Sequence, residues 1–296
     1  MSTRSIFGGT LAVCLLLAAC GGQEPPQSEL RNDTDQDSTK KAERLEQTRK
    51  IFYNIPSPME TATLLKKAGA EYDKDILNDV LNVDKYTAAS KQALNLGVYG
   101  ADLSYASVNN QTQESMFYTS CAKKLADKLG VSNAFNDSTL ERMEKNMNNR
   151  DSLLHIISAT YWNVDAYLKE NERDNISALM IAGGWVEGLY IATQLAGMNP
   201  SAELEQRIAE QKLSLGDLIA LVSTYPDNGS ALTGVKDDLA KLQALYDRVQ
   251  TGGGATDVTQ ENGVTVIGGG TSASLTKEQF TAIHDLTARI RNSYIN

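Results

Sequence analysis

The chain has 296 residues, with 28 Lys and Arg against 37 Asp and Glu, for a net charge of −9. That balance excludes the basic footprint of a nucleic-acid-binding protein, so no nucleic-acid partner is expected. Apolar residues at 41% and charged residues at 22% are ordinary for a globular protein and exclude wholesale disorder. Two His and three Cys leave little material for a His/Cys metal site, and neither a metal nor a cofactor is expected.

The N-terminus carries the strongest local signal. A short segment with one positive side chain, Arg4, precedes a largely apolar stretch from Ile6 to Ala19. That stretch is too short to cross a bilayer comfortably, because about 20 apolar residues are needed, and it reads as a secretory signal. Its end, Leu17-Ala18-Ala19-Cys20-Gly21, resembles the lipobox of bacterial lipoproteins. The resemblance implies cleavage before Cys20, diacylglyceryl on the Cys20 thiol and acylation of the new amine. Gly21 in place of Asp resembles outer-membrane sorting in enteric bacteria, so the outer membrane is expected over the inner. Several acyl chains give stable anchoring at about 0.8 kcal/mol per buried CH₂. Residues 1–19 are therefore expected to be signal peptide and 20–48 an acidic tether. Gln23 to Ser38 contains one large apolar side chain, Leu30, and cannot bury enough surface to offset the entropy of ordering.

Residues 49–296 read as a single all-α domain, a multi-helix bundle with one small β-hairpin. Ser57-Pro58-Met59-Glu60 offers an N-cap, Pro at the first helical position and the Glu of a capping box. That helix is predicted to stop at Gly69. A second is predicted from near Asp84 to Ser107, and a third from Thr112 to Leu129 with Gly130 after it. Ser138 to Glu141 reads as another capping box, followed by a break near Asn148-Asn149 and a helix from Asp151 to Glu170. Further helices are predicted over Asp174–Ala196, from Asn199-Pro200, over Ser214–Thr224 and over Ser230–Gln250. In the last helix Thr276 caps, Gln279 completes the box, and Leu275 is placed to staple onto Phe280. The exception is 256–267, where Asn262-Gly263 between β-prone runs predicts a two-residue hairpin turn. The flanking Gly triplets lack the Lys and the spacing of a phosphate-binding loop.

Asn175 to Gly197 carries one charge, Glu187, and reads as a central core helix rather than a membrane span. Gly183, Gly184 and Gly188 each cost about 0.8–1.0 kcal/mol relative to Ala, which close approach of another backbone would offset. The expected partner is the ridge Ala93, Gly97, Ala101 and Ser104 of the second helix. Two acids, Asp102 and Glu187, thus fall inside the two most apolar helices. As a functional pair they would be carboxyls of raised pKa suited to acid/base hydrolysis. As structural groups they would accept from a Tyr hydroxyl, a helix N-terminus or an Arg, with Arg150 and Arg173 the candidates. Tyr99, Asp102, Tyr105, Glu187 and Tyr190 form the candidate ligand set.

Cys121 lines up with Phe117 and Leu125 and reads as a small buried hydrophobe. With Cys14 lost and Cys20 acylated, no intramolecular disulfide is expected. His155 is expected to be half-buried and hydrogen-bonded, and His284 exposed. Segments such as Asn54 to Pro58, Gly97 to Tyr105 and Gly183 to Tyr190 resemble helical lipoproteins of Bacteroidota-type bacteria, a resemblance that carries no activity. The sequence therefore points to an envelope lipoprotein working as a binding or structural module. Its expected partners are the membrane through Cys20 and an envelope protein or small molecule. The alternative is an envelope hydrolase using Asp102 and Glu187.

Overall fold

The computed structural model describes residues 54–133, 136–146, 149–225, 230–252, 257–261, 264–268 and 272–296. All belong to the unit Glu46–Asn296. The signal segment, Cys20, the tether and the Asn262-Gly263 dipeptide lie outside the described residues.

The fold is all-α, and several of its helices begin at side-chain caps. Helix α1 (Pro58–Lys67) starts at a reciprocal capping box, with Ser57 N–H donating to Glu60 at 2.7 Å, and Gly69 follows its end at φ +81°. A 3₁₀ turn (Val80–Asp84) then precedes α2 (Ala89–Val108). Asp79 caps that turn by accepting from Leu81 N–H at 2.9 Å, so the acidic start signal near Asp84 belongs to a separate short element. Helix α2 accordingly begins five residues later than predicted.

Helix α3 (Thr112–Lys128) ends at Gly130, φ +70°, as its sequence requires. Helix α4 (Asp137–Lys145) is capped by Asn136, which accepts from Thr139 N–H at 2.9 Å, and not by Ser138. Asn caps as well as Ser does, and here it stands first in the chain. Helices α5 (Arg150–Glu170) and α6 (Asp174–Met198) match expectation closely. The two helices predicted between residues 199 and 224 are one, α7 (Ala202–Ser223), capped by Ser201. Ser214, the predicted start of the second, is a buried interior position whose hydroxyl donates to the Gln211 carbonyl at 3.2 Å and accepts from Trp185 Nε1 at 3.0 Å.

Helix α8 (Ser230–Tyr246) stops short of Gln250, which enters strand β1 (Gln250–Gly252). The predicted hairpin is present as β2 (Asp257–Glu261) and β3 (Val264–Gly268), paired antiparallel from Asp257↔Gly268 to Glu261↔Val264. Strand β4 (Ser272–Ser274) returns to pair with β1, a second short ladder that the sequence reading lacked. Helix α9 (Lys277–Ile295) opens with the predicted Thr276–Gln279 box.

The core is organised around α2 and α6. Helix α6 is buried from Ser177 to Ala196 except at Tyr190 and Gln194, which places it at the centre although its length and apolarity would also suit a membrane. The two helices cross at glycine. A Cβ on Gly97 would overlap the Met180 carbonyl oxygen and lie 2.6 Å from Gly184 N, and one on Gly183 would overlap the Leu94 carbonyl. Backbone meets backbone, so burial here needs no side chain at all. Gly188, expected on the same ridge, instead faces Thr61 Cγ2 of α1 at 3.1 Å.

Helix α9 is fastened to this pair at its end. Lys91 Nζ donates to the carbonyls of Ser293 (2.6 Å) and Tyr294 (3.3 Å), Asn95 to Tyr294 (2.9 Å), and Tyr86 to Ile295 (3.2 Å). These are terminal helix carbonyls with no intrahelical partner, and a Lys there also complements the helix dipole.

Candidate functional site

Asp102 and Glu187 do meet, in the interior between α2 and α6, and both have zero solvent exposure. Their cation is neither Arg150 nor Arg173 but Arg291 of α9. Its Nε lies 2.9 Å from Glu187 Oε2 and its Nη2 3.0 Å from Oε1, a bidentate fork. Nη2 also donates to the Ile76 carbonyl at 3.3 Å, and the guanidinium stands 4.5 Å over the Tyr190 ring. Arg173 is engaged elsewhere, donating to the Leu129 carbonyl at the end of α3. Burial pushes the Arg291 pKa down, but Glu187 beside it holds it above the ordinary arginine value.

Asp102 has a different role. Its Oδ2 accepts from Asn78 N–H at 3.3 Å, and Oδ1 has no hydrogen-bond partner among the described residues. Burial, reinforced by the neighbouring Glu187 charge, raises its pKa well above the usual carboxylate range, against the opposing pull of Arg291. The raised pKa favours the neutral form of Asp102, which leaves the cluster with the Glu187 anion and the Arg291 cation. That is the charge balance a closed interior requires.

The candidate tyrosines do not turn toward these acids for hydrogen bonds. Tyr99 donates to the Asp79 carbonyl (2.9 Å), and Tyr105 donates to the Glu71 carbonyl (2.9 Å) while accepting from Asp73 N–H (3.1 Å). Both are buried, and both anchor the segment before α2. Tyr190 is half-buried beneath Arg291. The set therefore lines a sealed core, and no substrate reaches Asp102 or Glu187 unless helices part.

Other sequence candidates fall where packing puts them. Cys121 is buried and donates weakly to the Val80 carbonyl at 3.7 Å, with its thiol pushed up to about 11 by burial. Phe117, expected on the same buried line, is 49% exposed. His155 is exposed rather than half-buried. His284, expected exposed, is half-buried, with its ring 2.9 Å from Gln194 and 3.0 Å from Asp285. A further buried acid, Asp165, pairs with Lys169 at 2.9 Å and accepts from Ser177. Among the described residues no cluster of His, Cys, Asp and Glu is arranged to hold a metal ion.

Comparison with protein-family models, with curated proteins and with solved structures finds no match to this chain.

Sequence reasoning missed Arg291, although a signal was there. The buried positions of α9 are Ile283, Thr287, Ile290, Arg291 and Tyr294, so this Arg lies on the apolar stripe of an amphipathic helix. A lone cation on such a stripe calls for a buried anion elsewhere.

Proposed function

We propose that the protein is a lipid-anchored component of the bacterial cell envelope whose helical domain works as a binding or structural module. The observation that carries the module reading is the closure of the acid cluster. Asp102 and Glu187 have no exposure, and Glu187 is held in a two-point ion pair that fastens α9 to α6. Groups so placed hold helices together and are withdrawn from hydrolysis. The anchor reading rests on Leu17-Ala18-Ala19-Cys20 at the end of an apolar N-terminal segment, and the acidic tether after it spaces the domain from the membrane. The outer membrane is the proposed location.

Fractionation of cells producing the wild type and Cys20→Ser tests the anchor. The wild type is expected in the membrane fraction with an acylated Cys20 as its first residue, and the variant as a soluble or uncleaved form. An unacylated mature N-terminus in the wild type overturns it. The closed-cluster reading is tested by Asp102→Asn, which is expected to leave any envelope hydrolysis attributable to the protein unchanged.

A further inference from the structure

Strands β2 and β3 form a ladder of their own, with no third strand among the described residues. A two-stranded hairpin by itself is marginal in water, and a third strand or a supporting layer is needed for independent stability. Among the described residues β2 and β3 pack chiefly on each other, and no helix gives them broad support.

The two outer edges of this hairpin differ in charge. Strand β2 is bounded by Asp257 and Glu261, whereas β3, Val-Thr-Val-Ile-Gly, has no charged residue. Natural edge strands are kept from pairing by charge, by Pro or by a cover. Strand β2 has the charge, and β3 has neither charge nor Pro.

The register identifies the free backbone groups. Asn262 and Gly263 alone separate Glu261 from Val264, which are Cα partners. A loop of this length makes the partners that close it a hydrogen-bonded pair. Bonded and non-bonded pairs alternate along an antiparallel ladder, so Thr259↔Val266 and Asp257↔Gly268 are bonded pairs too. Thr265 and Ile267 therefore direct their N–H and C=O groups to the outer edge of β3. On β2 the outward groups belong to Val258 and Gln260.

We infer that β3 pairs antiparallel with β3 of a second copy of this chain, joining two hairpins into one sheet. Thr265 of each copy stands opposite Ile267 of the other, and each couple exchanges both backbone bonds. The two-fold axis passes beside Val266, which stands opposite its own counterpart. The edge is thus self-complementary, as an isologous interface requires. The same operation on β2 would set Val258 against Gln260, and so Asp257 against Glu261 of the other copy. Like charges directly opposite destabilise, so charge selects β3. The inference supplies a partner for the module proposed above and rests on that reading.

The test is a cross-link in cells producing the full chain with Val266→Cys. In a non-bonded antiparallel pair the Cα atoms lie about 4.5 Å apart, within the range of about 4.4–6.8 Å that a disulfide spans. Oxidation with copper phenanthroline is expected to give a product of twice the chain's mass on non-reducing gels. Val264→Cys, which stands opposite Gly268 of the other copy and not opposite itself, is expected to give at least about tenfold less. So is the parent chain, whose Cys121 is buried. Thr265→Pro added to Val266→Cys removes an outward N–H while sparing the bonds to β2, and is expected to cut the product at least about tenfold. No product from Val266→Cys, an equal product from Val264→Cys, or a product that survives Thr265→Pro overturns the pairing. A product of another mass overturns the assignment of the partner. Residues 264–267 lie outside the acid cluster and far along the chain from Cys20. A failed cross-link therefore leaves the closed core and the anchor to their own tests.

Discussion

Gly97 and Gly100 stand one turn apart on the same helix and have opposite surroundings. Against Gly97 the backbone of α6 leaves no room for a methyl group, and beside Gly100 there is open space. On the first side α2 meets α6 closely, next to the sealed Asp102–Glu187–Arg291 cluster. On the second, Gly100 is the half-buried position of an otherwise buried stretch. Identical residues thus serve closure on one face and vacancy on the other. Propensity alone does not separate them, because the helix penalty is the same at both.

The sealed side is most sharply tested by Arg291→Met, which keeps a long side chain but leaves Glu187 buried without its cation. We expect a loss of about 3–5 kcal/mol in urea unfolding. A loss below about 1 kcal/mol would mean that the cluster is hydrated.

Gly97→Ala and Gly183→Ala come next, at about 3 kcal/mol each, because backbone and not a side-chain tip must move. Gly100→Ala should act in the opposite direction, raising stability by up to about 1 kcal/mol. Melting temperatures of the two Ala variants on α2 therefore move apart. If both fall, the space beside Gly100 is closed in solution.

The smallest effect concerns Asp102. Its folded pKa lies above its unfolded value of about 3.9. The stability it contributes is therefore complete below about pH 4 and is lost as pH rises through the folded value. Asp102→Asn imitates the protonated acid and should change stability by less than about 1 kcal/mol near pH 4, while flattening the decline above it. Urea midpoints measured from pH 4 to 8 would show this, and an unchanged slope would assign the titration to another group.

Much of this fold was legible because it is written locally. Caps at Ser57 and Thr276, stops at Gly69 and Gly130 and the central character of α6 depend on residues a few positions apart. The readings that needed correction were local signals with two solutions, Asn136 against Ser138 as a cap and Ser214 as a helix start or an interior helical position. The burial of Asp102 and Glu187 was legible from their apolar neighbours. Their partner was not, because Arg291 lies 104 residues beyond Glu187 and no periodicity spans that distance.

The separation of Glu187 from Arg291 has a consequence in time. A ribosome adding about 5–20 residues per second delivers Arg291 some 5–20 s after Glu187. Through that interval α6, the most apolar helix of the domain, carries an anion that no cation answers, and its face for α9 stays uncovered. The nascent chain therefore lacks the final clasp of its centre until the last helix arrives. Late closure of this kind makes the folding of the domain wait on the last helix, and until then the chain stays open to chaperones.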